Sequence, residues 1–67
     1  MKRINLKCFR TKHKLTQQEM ADRIGVPRAK YVRIENGTNS GKLEFWEMLQ
    51  NAFAIPDEDM WALTIKE

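Results

Sequence analysis

Two arginines, Arg28 and Arg33, stand five residues apart with Ala29 and Val32 between them. On a helix these four side chains lie on the same side. A guanidinium can donate two hydrogen bonds to O6 and N7 of guanine, and small apolar side chains can contact thymine methyl groups. The pattern is therefore typical of a helix face that reads base pairs. The residues alone leave open that both arginines contact only phosphates or solvent.

Residue types that serve as catalysts or metal ligands are few and poorly placed. His13 has no serine and acid set near it, and Cys8 lies five residues away on a different helix face. A zinc site needs more ligands than these two. Asp57, Glu58 and Asp59 lack the glycine and the later glutamate of a calcium loop. We therefore expect no enzyme activity, metal, cofactor or small-molecule ligand.

The net charge of +3 is distributed very unevenly along the chain. Residues 1–42 hold eleven Lys and Arg against three Asp and Glu, a net +8, whereas residues 43–67 hold one Lys against six acids, a net −5. A basic region of this size favours a polyanion-binding face over an unevenly charged solvated surface.

Length and composition predict one folded domain over residues 1–67. The chain is 42% apolar and 31% charged, which fits a soluble protein with a thin core. A secreted domain this small normally carries several disulfides, so the single Cys8 favours a reducing cytoplasm. No apolar run approaches the ~20 residues that cross a bilayer, and the charged N-terminus does not resemble a secretory signal.

Helix start and stop signals divide the chain into five short predicted helices. Thr16 and Glu19 form the two ends of a capping box, and Gly25 is placed to end the helix that follows. Pro27 and Pro56 suit the starts of later helices, because proline costs nothing at that position. The predicted helices cover residues 5–13, 16–25, 28–36, about 40–53, and a brief segment from 56.

Apolar residues at three- and four-residue spacing predict the buried face of each helix. The predicted inward positions are Leu6, Phe9, Arg10 and His13 in the first helix, Met20, Ala21 and Ile24 in the second, Tyr31 and Ile34 in the third, and Leu43, Trp46, Leu49 and Phe53 in the fourth.

Two short helices joined by a turn that contains glycine describe a helix-turn-helix. The stretch LTQQEMADRIGVPRAKYVRIENG, from Leu15 to Gly37, closely resembles the Cro and phage-repressor (XRE) family. The resemblance rests on the Leu-Thr-Gln start, the central alanine, the Gly-Val turn and the Arg-Ile-Glu-x-Gly end, which are here Leu15, Thr16, Gln17, Ala21, Gly25, Val26, Arg33, Ile34, Glu35 and Gly37. It implies an all-α, compact five-helix, lambda-repressor-like DNA-binding domain whose helices 2 and 3 form the helix-turn-helix.

The chain departs from the family pattern in three places outside that motif. Gly41 stands where many members have proline, and Gln50 stands where a small apolar residue is usual. Phe45 and Met48 lie on a face of helix 4 that is often polar.

The resemblance also implies a role for each candidate site residue. Helix 3 would enter the major groove of double-stranded DNA, with Arg28, Ala29, Val32 and Arg33 reading bases. The expected phosphate contacts are Gln17, Lys30, Asn36, Thr38, Asn39 and Lys42, and Lys14 is equally well explained as a solvated surface charge. Arg10 and Glu35 match positions that form a partly buried ion pair.

The function so implied is sequence-specific transcriptional regulation, with repression the simplest output, by a homodimer on a palindromic operator. The expected dimer contacts lie in the acidic C-terminal part, with Trp61 as anchor and Phe45, Met48 and Met60 as its neighbours. Phe45, Met48 and Trp61 are expected to be exposed. Trp61 could instead complete the monomer core under helix 1. One alternative function is an antitoxin-type interaction module that also binds its own promoter, and a weaker one is non-specific coating of nucleic acid.

Overall fold

Local signals in the sequence fix the ends of the helices. Thr16 caps the second helix through the predicted capping box: the Glu19 amide donates to Thr16 Oγ1 at 3.1 Å, and the Thr16 amide donates to Glu19 Oε1 at 2.9 Å. Pro27 and Pro56 are extended N-cap residues, so the third helix begins at Arg28, as predicted, and the fifth begins at Asp57, one residue after the predicted start. In a computed structural model that describes residues 1–66, the helices are α1 (Ile4–Lys12), α2 (Gln17–Ile24), α3 (Arg28–Glu35), α4 (Leu43–Phe53) and α5 (Asp57–Thr64).

Within residues 1–66 the secondary structure is helical throughout, and the predicted all-α five-helix class is confirmed. Helices α2 and α3 pack on each other, α4 packs on α2, and α1 packs between α3 and α5. Their apolar faces meet in one core, which contains Leu6, Met20, Ala21, Ile24, Tyr31, Ile34, Phe45, Leu49, Ile55 and Leu63.

The predicted buried face of α4 is wrong in its first turn. Leu43, placed in the core by the sequence pattern, is 74% exposed, whereas Phe45, expected on the surface, is 1% exposed. Met48 is also half-buried against the core. The spacings 43-46-49-53 and 45-49-53 share their last two members, so only tertiary packing could choose between them.

The two single-residue departures from the family pattern, Gly41 and Gln50, each have a structural reason. Gly41 has a φ of +68°, which proline cannot adopt, and a Cβ there would stand 3.0 Å from the indole nitrogen of Trp46. The Gln50 amide donates to the Ile55 carbonyl at 2.9 Å and to the Asp57 carboxylate. Gln50 therefore fixes the turn between α4 and α5.

Candidate nucleic-acid interface

Helix α3 separates two sets of side chains on opposite faces. Tyr31, Ile34 and Glu35 are buried and hold the helix against the core. The opposite face presents the predicted base-reading side chains: Arg28, Ala29 and Arg33 are exposed and Val32 is half-buried. Lys30 is exposed as well. Because the buried set alone anchors α3, the exposed set is available to a ligand.

Glu35 is the centre of a hydrogen-bond network that joins the first three helices. Arg10 of α1 donates from Nε to Oε2 at 2.9 Å and from Nη2 to Oε1 at 3.2 Å. The Tyr31 hydroxyl donates to Oε2 at 2.6 Å, and Gln17 of α2 donates to Oε1 at 3.3 Å. A further Arg10 nitrogen donates to the Leu15 carbonyl at 2.8 Å. The structure thus brings the expected pair Arg10 and Glu35 together in a two-point ion pair.

The network keeps the Glu35 carboxylate ionised. Burial by itself would raise the pKa of Glu35, but hydrogen bonds from Arg10 and Tyr31 and the charge of Arg10 outweigh it and leave that pKa below its usual range. The hydrogen bond to Glu35 raises the pKa of Arg10. Burial, followed by the neighbouring carboxylate, raises the pKa of Tyr31. Arg10 and Glu35 therefore form a fixed pair of charges, to which the neutral Tyr31 hydroxyl donates a hydrogen bond.

The N-terminus of α2 lies beside this network. The capping box satisfies the amide of Glu19, while the amides of Gln17 and Gln18 make no hydrogen bond to any residue in 1–66. Free amides at the positive end of a helix dipole favour an anion. The Gln17 side chain, expected to contact phosphate, is here directed toward Glu35.

A cleft with a volume of about 520 Å³ opens at the same place. Most of the side chains that line the cleft are cationic or amide groups, and Glu35 is the only acidic residue among its lining residues. The lining residues are Lys2, Arg3, Ile4, Lys7, Arg10, Gln17, Glu35 and Asn36.

The loop after α3 carries the remaining predicted phosphate contacts. Asn36 ends α3 and is exposed, as are Thr38 and Lys42. Thr38 donates its hydroxyl to the Arg33 carbonyl at 3.2 Å, and the Asn39 side-chain oxygen accepts from the Gly41 amide at 2.9 Å. The Asn39 side chain therefore keeps only its amide nitrogen for an external acceptor. Lys42 is the one cationic residue of the loop, and its side chain is exposed.

Arg3 is a buried residue that no pattern in the sequence marks. It is only 3% exposed, and its guanidinium donates to the carbonyls of Ile34 at 2.6 Å, Asn39 at 2.8 Å, Ser40 at 3.0 Å and Thr64 at 3.1 Å. Because Arg3 precedes α1, no helical periodicity marks it as buried, and its neighbours are exposed lysine and isoleucine.

The expected dimer contacts divide into two groups. Phe45 belongs to the core and Met48 packs against it, so neither is the exposed neighbour that was predicted. Trp61 is 73% exposed, which contradicts the alternative that it completes the monomer core. With Leu43, Trp46 and Met60 it lines a mainly apolar groove of about 310 Å³ between α4 and α5.

Comparisons with known proteins agree with this geometry. The sequence profile described as helix-turn-helix matches residues 6–59. Two proteins of Archaeoglobus fulgidus, each named an uncharacterized HTH-type transcriptional regulator, are 31% and 30% identical to the chain, over 88% of its length and 94% and 96% of their own. A protein of Methanocaldococcus jannaschii with the same description is 32% identical, over 84% of this chain and 85% of its own.

A DNA-binding fold with an exposed recognition-type helix is the class that these observations define. The chain belongs to the helix-turn-helix family of transcriptional regulators, of the XRE type. No solved structure is a significant match. None of the helices in residues 1–66 is long and apolar enough to cross a membrane.

Proposed function

We propose that this protein is a sequence-specific repressor that inserts α3 into the major groove of a palindromic operator. The observation that carries the proposal is the exposed face of α3, where Arg28, Ala29, Val32 and Arg33 stand without any role in the core. Major-groove edges distinguish all four base pairs, and arginines beside small apolar groups match their chemistry.

Phosphate contacts on either side of α3 would set the docking. The N-terminus of α2, with Gln17, is on one side, and Asn36, Asn39 and Lys42 follow α3 on the other. Lys30 lies on α3 itself, and Thr38 would have to turn its hydroxyl away from Arg33 to take part. Such contacts position a protein on DNA without reading its sequence.

One copy of α3 covers too few base pairs to specify a single operator, so we propose that two copies pair on DNA. Symmetric pairing would place the recognition helices about one helical turn, ~34 Å, apart. The exposed apolar side chains Leu43 and Trp61, on the acidic helices away from α3, support this surface as the contact. Repression would follow because a bound dimer blocks access to the promoter.

Selection from a pool of random DNA duplexes tests the proposal directly. A palindromic consensus with half-sites one turn apart is the expected result. Recovery of no consensus would favour non-specific coating of nucleic acid and refute base reading by α3.

The same apolar surface could instead bind a toxin, as in an antitoxin-type module. Purification from the native host distinguishes the two functions, since the repressor is expected to elute without any other protein bound to it. A stoichiometric heteromer that dissociates upon Trp61→Ser would show that this surface serves another protein.

A further inference from the structure

Arg3 is a buried cation without an acidic partner. No carboxylate within residues 1–66 pairs with its guanidinium, and burial lowers its pKa. Its acceptors are instead carbonyls near the C-terminal ends of α3 and α5, Ile34 and Thr64, where the helix dipoles are negative. The guanidinium carbon also lies 5.3 Å from the ring centre of Trp46. Each of these interactions depends on the shape and charge of arginine.

The segment that Arg3 holds is otherwise weakly anchored. The carbonyls of Asn39 and Ser40 accept hydrogen bonds from Arg3 and from no other residue in 1–66. None of the side chains from Thr38 to Lys42 is buried, so the hydrophobic core does not hold this segment. The amides of Thr38 and Asn39 donate to the Arg33 carbonyl, and the Gly41 amide donates to the Asn39 side chain within the loop. Arg3 is therefore the residue that reaches the Ser40 carbonyl from outside the loop.

The N-terminal segment is fitted closely to the same place. The Arg3 amide donates to the Glu35 carbonyl at 2.8 Å. The Met1 carbonyl lies directly against Gly37 and leaves no room for a Cβ there. Arg3 is therefore tied through its backbone to the end of α3 and through its side chain to the loop beyond it.

We infer that Arg3 is a positioning residue for DNA binding, which fixes the loop from Thr38 to Lys42 so that Lys42 and Asn39 meet a backbone phosphate. The inference rests on the proposed function, because that assigns the phosphate contacts. Arg3 itself is covered and does not touch DNA. Its loss would weaken binding through Lys42 and Asn39.

A double-mutant cycle with Arg3→Lys and Lys42→Ala tests the coupling. Lysine keeps the charge but cannot replace the planar fork that reaches several carbonyls. The probe is a random-sequence duplex of about two helical turns, ~20 base pairs, titrated over a range of salt concentrations. Leu63→Ala is the control, since it weakens the core in α5 and removes none of the hydrogen bonds from Arg3 to the loop.

Each single variant is expected to bind about tenfold more weakly, as for one lost charge-assisted hydrogen bond, and to reduce the salt slope by about one. The double variant is expected to bind DNA no more weakly than whichever single variant binds more weakly. Leu63→Ala is expected to keep the wild-type slope. An unchanged slope in Arg3→Lys, or fully additive losses, would overturn the inference. An unchanged slope in Lys42→Ala would instead reject the phosphate contact assigned under the proposed function.

Should Arg3→Lys fail to fold, the wild-type protein still decides. NMR order parameters of about 0.85 for the amides from Thr38 to Gly41, together with slow solvent exchange of the Arg3 Nε–H that donates to Thr64, would show that the loop is held rigidly with the guanidinium in place. Values below ~0.6 would show that Arg3 does not fix it, and would overturn the inference.

Discussion

The carboxylate of Glu35 accepts hydrogen bonds from side chains on α1, α2 and α3 itself. The side chains of Arg10 and Glu35 are 11% and 5% exposed, so the pair is close to fully buried. Taking charges out of water is costly, and this cost is offset only while every partner is present. The network therefore makes the position of α3 depend on a few polar side chains.

Replacement of Glu35 by alanine would leave the Arg10 guanidinium buried without its counter-charge. We expect Glu35→Ala to lower the free energy of unfolding by about 3–5 kcal/mol, measured by urea denaturation. The matched control is Glu47→Ala, which removes an exposed acid from α4 and should change stability by no more than ~0.5 kcal/mol. Equal midpoints for the two variants would mean that the network contributes nothing to stability.

The lowered pKa of Glu35 makes stability depend on pH in one direction. Since the native pKa lies below the unfolded value of ~4.3, the stabilisation is complete above that value and is lost as the pH falls through the native pKa. We expect the urea midpoint of the wild type to fall in this acidic range and that of Glu35→Gln to fall less. Parallel curves for the two proteins would assign the acid sensitivity to other carboxylates.

The sequence predicted part of this network and missed the rest for a physical reason. Family resemblance pointed to Arg10 and Glu35 and gave Gln17 a phosphate contact, whereas periodicity placed Tyr31 simply in the core. Spacing along one helix does not reveal which polar atoms of different helices meet. The same limit explains why Arg3, which precedes α1, carried no signal at all.

Among the elements, α2 and α3 were predicted best because their boundaries depend on local chemistry. The capping box at Thr16 and the break at Gly25 act over a few residues, so the sequence contains the whole signal. The first turn of the buried face of α4 was predicted wrongly because Leu43 and Phe45 both stand at helical spacing from the apolar residues further along the helix. Packing in the core decides between them: the Phe45 ring lies 6.4 Å, centre to centre, from the ring of Tyr31 in α3, and that contact is not local.

Alanine substitutions at the two ends of the helix-turn-helix are expected to affect DNA binding differently. Arg33→Ala should keep the fold and lose about 1–3 kcal/mol of discrimination at one base-pair position. Gln17→Ala should weaken binding to specific and random DNA alike, because phosphates carry no sequence information. Competition binding with both duplexes measures the two effects. Uniform weakening by Arg33→Ala would reassign Arg33 to the phosphate backbone.

At the scale of the whole molecule, charge and apolar surface are segregated. Helices α1 to α3 and the loop up to Lys42 carry the net +8, while α4 and α5 contain most of the acids. Leu43 and Trp61, the large exposed apolar side chains of the acidic part, lie beside one groove. DNA occupies the basic face in the proposed complex, so the exposed apolar side chains of the acidic part are the surface left for self-association.

Titration of the selected operator in the analytical ultracentrifuge is expected to give a cooperative complex of two chains per duplex. Trp61→Ser should fold normally, since the indole is exposed, yet weaken pairing by about 2 kcal/mol or more, as loss of an interface anchor does. Cys8→Ser changes an exposed residue of α1 and should pair like the wild type. A saturating complex of one chain on a symmetric site would refute the dimer.

The division of α3 into a buried and an exposed face has a consequence for how such a protein can change its target. Tyr31, Ile34 and Glu35 bear the structural constraints, whereas Arg28, Ala29 and Arg33 bear almost none. Substitutions on the exposed face can therefore accumulate, or be introduced by design, without eroding stability. A library randomised at these three positions should retain folded members in high proportion, which makes α3 suitable for reprogramming toward new operators.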